Sequence, residues 1–252
     1  ITSMAALFYI SAVWLYGCSR NEQALWAGSL AGTTEMPTVE GGRTRIWLFY
    51  GLSLLAALAA MHCKEIAVTL PAAIVLYELC FSCRNSRGEW IVVLPFFVIA
   101  LLVPLYHLNP DSALTFRAIG QGAAETEAIS RWTYLFTEFR VLVTYLRLLI
   151  LPINQNLDYG YKLATGFFTL RVLLSFLLLC LIGFIGIVSY RRCRLVTFCI
   201  FWFFITLSVE STFIPIRDVI FEHRLYLPMP AYALLLPFAV YYLLTFRMRA
   251  NQ

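Results

Sequence analysis

Apolar residues in this chain come in long unbroken runs, and charged residues crowd the short gaps between them. LVTFCIFWFFITLSV at 195–209 and YALLLPFAVYYLLTF at 232–246 are typical. Several runs reach about 16–20 residues, enough to span or nearly span a hydrocarbon core of ~30 Å. The pattern predicts membrane spans over about residues 2–18, 46–62, 66–82, 90–106, 169–190, 195–209 and 226–246. A transmembrane barrel would alternate apolar and polar positions, which these runs do not.

One further apolar piece, YLFTEFRVLVTYLRLLILP at 134–152, carries Glu138, Arg140 and Arg147 within a few turns. Charges at mid-membrane are costly, so this piece reads as an interfacial or re-entrant helix. The predicted fold is all-α: a polytopic transmembrane bundle of about seven spans plus that helix, in one domain over 1–252. Three short loops are sharply basic, at Arg84 and Arg87, at Arg191, Arg192 and Arg194, and at Arg247 and Arg249. The positive-inside rule makes them cytoplasmic, together with the first loop carrying Arg20, Arg43 and Arg45. Alternation then puts Lys64-Glu65, the stretch 107–168 and the stretch 210–226 on the outer side.

Composition supports a membrane protein. Of 252 residues, 61% are hydrophobic and 13% charged, against about 25% charged in a soluble domain. The net charge of +5 belongs to loops that set topology, so it is no footprint for nucleic acid. The seven cysteines lie in or beside apolar runs and read as small buried residues. Cys80 and Cys83 form a lone CxxC without a second pair, a weak zinc signal. No GxGxxG, Walker A or HExxH occurs, and His62, His107 and His223 are scattered. No ladder of intramembrane acids appears, and Glu78, near the cytoplasmic end of its span, is expected to be solvated. The sequence opens inside an apolar run without an initiator Met and has the character of a fragment.

The candidate chemistry gathers on the outer side. Lys64 and Glu65 sit between two apolar runs with almost no loop, and Pro71 restarts the second. They are either rim charges offered to a ligand or an interface turn whose charges reach water. Further on, Arg217, Asp218, Glu222, His223 and Arg224 precede Tyr226 and Pro228 at the head of the last span. A guanidinium presents a planar fork of donors that matches phosphate oxygens. Arg224 could therefore grip a lipid phosphate, or simply anchor a helix end, while Arg217 and Asp218 could pair locally. NQNLDYGY, with Asp158, offers hydrogen-bonding groups and aromatic faces for a sugar, or an ordinary surface turn.

MAALFYISAVWLYG, CKEIAVTLPAAIVLYE, YLFTEFRVLVTYLRLLILPINQNLDYGY and FEHRLYLPMPAY occur in that order. Together they resemble the polytopic domain of bacterial TPR-containing membrane proteins. These are similar to the transmembrane-and-TPR O-mannosyltransferases and, more broadly, to GT-C glycosyltransferases. The resemblance implies an enzyme of the bacterial inner membrane with its active face periplasmic. Such an enzyme moves a sugar from a polyprenyl-phosphate carrier to a protein or glycan acceptor. It implies a catalytic acid in an outer loop upstream of Ile1, and a TPR array with its own partners downstream of Gln252. It implies substrate contacts at Lys64, Glu65, Asp158, Arg217, Glu222, His223, Arg224 and Tyr226, with the cations stabilising the departing phosphate. No cofactor is implied; some relatives use a divalent metal and others none. A non-catalytic membrane anchor for a TPR scaffold and a lipid-linked sugar transporter are the alternatives. Inverted repeats and broken helix pairs, the marks of a transporter, are not evident in the sequence.

Overall fold

The computed structural model describes residues 2–30, 42–82, 87–107, 130–153, 155–156, 159–211 and 219–250. Every regular element among them is helical. The chain divides into two compact units, Ile1–His107 and Leu108–Gln252.

The first unit holds α1 (Thr2–Leu30), α2 (Gly42–Cys63), α3 (Leu70–Phe81) and α4 (Leu94–His107). Small residues let α1 and α2 lie close: Ala5, Ala12, Ala57 and Ala60 are buried. Ser53 Oγ adds a hydrogen bond to the Ala12 carbonyl at 2.7 Å. Lys64 ends α2 by turning extended (φ −160°, ψ 144°), and the 3-10 turn Glu65–Thr69 follows directly. Pro71 sits in the first turn of α3, where its missing N–H leaves no helical bond unmade. This is how two apolar helices follow one another with so little loop.

The expectation that Glu78 is solvated is wrong. Glu78 is buried, and Arg20 meets it with Nε 2.7 Å from Oε1 and Nη2 3.1 Å from Oε2. The Tyr16 hydroxyl donates to the same Oε1 at 2.6 Å. Glu78 stands in the last turn of α3 and Arg20 in the second half of α1, and pairing of the two helices largely removes them from water together. A partner 58 positions away is invisible to a local reading of the sequence.

The second unit holds α5 (Arg131–Ile150), α6 (Leu170–Ser189), α7 (Arg194–Leu207), the 3-10 turn Glu222–Tyr226 and α8 (Met229–Ala250). On α6 the buried residues are Val172, Leu179 and Gly186, one narrow stripe at heptad spacing. Apart from Arg171, Ser175 and Ser189 the rest of α6 is apolar, and it is largely exposed, as with Leu177, Leu181 and Phe184. A helix apolar on all sides with so small a buried stripe suits a lipid surround. Gly186 lies against α7, where Thr197 Oγ1 donates to its carbonyl at 2.8 Å.

A helix stands at each of the seven apolar runs. Three are long and apolar enough to cross a membrane: Thr2–Trp26 of α1, Gly42–Cys63 and Leu170–Ser189. Of the others, α3 has 12 residues and α7 has 14, against about 20 for a full span, and the 22-residue helix Met229–Ala250 is apolar over Met229–Tyr242.

Candidate functional site

The site in the second unit is organised by α5. Its buried residues are Tyr134, Thr137, Glu138, Val141, Tyr145 and Leu148, one continuous helical face. The opposite face holds Arg140 and Arg147. Two tyrosines on the buried face tie down non-helical backbone. Tyr134 donates to the Glu210 carbonyl at 3.0 Å, holding the turn after α7. The Tyr145 hydroxyl donates to the Phe221 carbonyl at 3.1 Å and accepts from the Phe221 N–H at 3.0 Å. That pair of hydrogen bonds fixes the entry to the turn Glu222–Tyr226.

Arg224 begins that turn's inward side and is buried, 4% exposed. Its Nε lies 3.4 Å from Glu210 Oε2, and its Nη1 donates to the Val219 carbonyl at 3.2 Å. The guanidinium therefore does not stand at the surface ready for a headgroup. Glu210 is buried as well, at 6%, and Glu138, at 0%, completes the cluster. Neither Glu138 oxygen accepts a hydrogen bond of ordinary geometry, and Ser211 Oγ is equally unsatisfied. Burial pushes the Glu138 carboxyl up to about 7, against the opposing pull of Arg224 and of the Ser211 and Tyr134 hydroxyls. With four charges, α5 is not among the helices apolar enough to cross a membrane.

A cavity of about 490 Å³ opens beside the cluster. Glu222, His223, Tyr226 and Gln155 give it a polar side, and Leu148, Leu149 and Met229 an apolar one. The Glu222 carboxylate accepts from the Asn156 N–H at 2.8 Å and from the Tyr159 hydroxyl at 2.6 Å. It thus pins the segment after α5. His223 stacks against Phe221 with ring centres 4.8 Å apart. A second cleft, wholly apolar and about 280 Å³, shares Leu149, Ile150 and Tyr232 with the first. It continues along Ile182, Ile200 and Leu235.

Of the residues singled out from sequence, Glu222, His223 and Tyr226 come together at the cavity, with Arg224 behind its wall. Lys64 and Glu65 belong to the first unit, half-buried and exposed respectively. Arg217 and Asp158 lie outside the described residues, as do Asp218 and most of the stretch 107–131. Among the described residues no group of three or more His, Cys, Asp or Glu could hold a metal ion. Cys80 is buried and in no disulfide among the described residues, and Cys83 lies outside them.

Glu138 is the residue the sequence reading missed as part of a site. It was visible only as a charge that keeps its helix from spanning. Its spacing to Tyr134 and Tyr145, four and seven positions, would have placed all three on one helical face. Comparison with family models, curated proteins and solved structures returns no match.

Proposed function

We propose that the chain is the membrane-embedded part of a glycosyltransferase. It takes a sugar from a polyprenyl-phosphate carrier at the outer face of a bacterial inner membrane and passes it to a protein or glycan acceptor. In this reading the helices make a GT-C-like bundle of about seven spans, with α5 at the interface. The observation that carries it is a pair of adjoining clefts: a cavity with a polar side at Glu222, His223, Tyr226 and Gln155, and a wholly apolar cleft that shares Leu149, Ile150 and Tyr232 with it. Such a site suits an amphiphile with a sugar-phosphate head and a hydrocarbon tail. The ordered sequence motifs around Lys64-Glu65, Tyr145–Arg147 and Glu222–Tyr226 support the same reading.

The roles differ from a surface Arg clamp. His223 and Tyr226 meet the head group, and His223 stabilises charge on the departing phosphate. Arg224 is a positioning residue: paired with Glu210, it holds the turn that presents both.

The test is photo-crosslinking of a polyprenyl-phosphate probe to the protein in proteoliposomes. Label is expected on peptides covering Leu148–Gln155 and Glu222–Tyr232, displaced by unlabelled polyprenyl phosphate and not by phosphatidylglycerol. Equal displacement by both would leave only a membrane anchor.

A further inference from the structure

The cluster behind the cavity has a chemistry that the transferase reading does not use. We propose that Glu138 is a proton-binding site, a carboxylic acid held between Tyr134, Ser211 and the Arg224–Glu210 pair, whose proton sets the position of the cavity wall.

Three observations carry this. Glu138 is wholly buried with both oxygens lacking a hydrogen bond, and an ionised carboxylate left so costs several kcal/mol. The guanidinium facing it is already engaged by Glu210 Oε2 and the Val219 carbonyl. One guanidinium between two buried carboxylates favours a proton on one of them. Glu138 is the more buried of the two and takes it. As a neutral acid, Glu138 needs an acceptor, and Ser211 Oγ, buried and itself unsatisfied, is at hand.

Among the described residues the other surroundings do not compensate. From α5 itself come Tyr134 and Tyr145, from the turn after α7 Glu210 and Ser211, and from the turn Glu222–Tyr226 Arg224. The one charged residue of α6, Arg171, is exposed, as is Lys162 on the segment against α5.

The mechanical consequence follows from connectivity. Loss of the proton makes Glu138 a second anion competing with Glu210 for Arg224. Arg224 lies between His223 and Leu225, both of which line the cavity. A shift of the guanidinium toward α5 therefore moves the wall that carries His223 and Tyr226. The site takes a proton, and its occupancy is read in the cavity.

The experiment uses the whole chain in nanodiscs and no lipid carrier, so its outcome is independent of the transferase reading. Difference infrared spectroscopy follows the band of a protonated carboxylic acid while pH is raised. A maleimide reports the accessibility of Tyr226→Cys in a His223→Gln background, which removes the imidazole's own titration. An acid band lost around pH 7 and absent in Glu138→Gln is expected. The maleimide rate should change severalfold over the same range, and Glu138→Gln, an isostere of the neutral acid, should hold it at its low-pH value. Glu138→Asp should restore both responses. Absence of the band at low pH overturns the proton site. A band with a maleimide rate indifferent to Glu138→Gln overturns its link to the cavity.

Discussion

At the scale of residues, two buried charge clusters behave differently. In the first unit Glu78 is satisfied by Arg20 from two nitrogens and by the Tyr16 hydroxyl. Removing Glu78 leaves the largely buried Arg20 without its counter-charge, with neutral acceptors such as Gln23 Oε1 and Ser82 Oγ in its place. Glu78→Ala is therefore expected to destabilise the unit by about 3–5 kcal/mol. Tyr16→Phe removes one hydrogen bond to a charged group and should cost only about 1–3 kcal/mol. Thermal unfolding in detergent ranks the two. In the second unit Glu138 is unsatisfied, and its carboxyl, raised by burial, carries a pH signature. The folded state binds more protons than the unfolded one between the ordinary carboxyl range and about 7. Stability is then full below that window and falls as pH rises through it, by about 3 kcal/mol. Glu138→Gln should flatten the profile and be the more stable protein above pH 7; a wild-type profile that instead rises across the window would contradict this.

At the scale of elements, the apolar runs translate directly into helices. Continuous hydrophobicity needs only local chain geometry to be read, so all seven runs and the amphipathic α5 were legible. The inward face of α5 was not. Its charges looked like a reason to stay at the interface, and only its packing against the Glu222–Tyr226 turn shows that Glu138 points in while Arg140 and Arg147 remain outside the core. Glu78 was misread for a related cause, since its partner comes from another helix. The α6–α7 contact gives a sharper element-level prediction. A Cβ on Gly186 would stand 3.0 Å from Ile200 Cγ2 and 3.1 Å from Phe201 Cε2. Ile200 is β-branched and stiff in a helix, so it yields poorly. Gly186→Ala should destabilise by about 1–3 kcal/mol, read as a lower unfolding temperature in detergent. Gly183→Ala, with nothing within 4 Å of the added carbon, is the control and should be close to neutral.

At the scale of the whole molecule, three helices among the described residues are apolar and long enough to cross a bilayer, and large apolar side chains such as Trp14, Trp47, Leu101 and Phe184 are exposed on both units. The arginine-rich loops predict the orientation. A membrane-impermeant maleimide should reach a cysteine placed at exposed Arg192 from the cytoplasmic side, and one placed at exposed Lys162 from the opposite side. Labelling of both from one face would remove the outer placement of the cavity. The candidate site was partly legible: Glu222, His223 and Tyr226 announce themselves as polar residues opening an apolar segment. That Arg224 turns inward was hidden, because its counter-ion Glu210 lies across a turn whose course no local pattern records.

The most direct test of the transferase reading is equilibrium binding of a polyprenyl phosphate to the protein in nanodiscs, compared with His223→Ala and with the charge-removed pair Arg224→Gln/Glu210→Gln. The wild type should bind it in preference to phosphatidylglycerol, His223→Ala should bind at least tenfold more weakly, about 1.4 kcal/mol, and the paired variant should fold yet bind weakly because the turn is no longer held. Binding that is unchanged in both variants, or no stronger than for an ordinary phospholipid, would contradict a carrier site at this cavity.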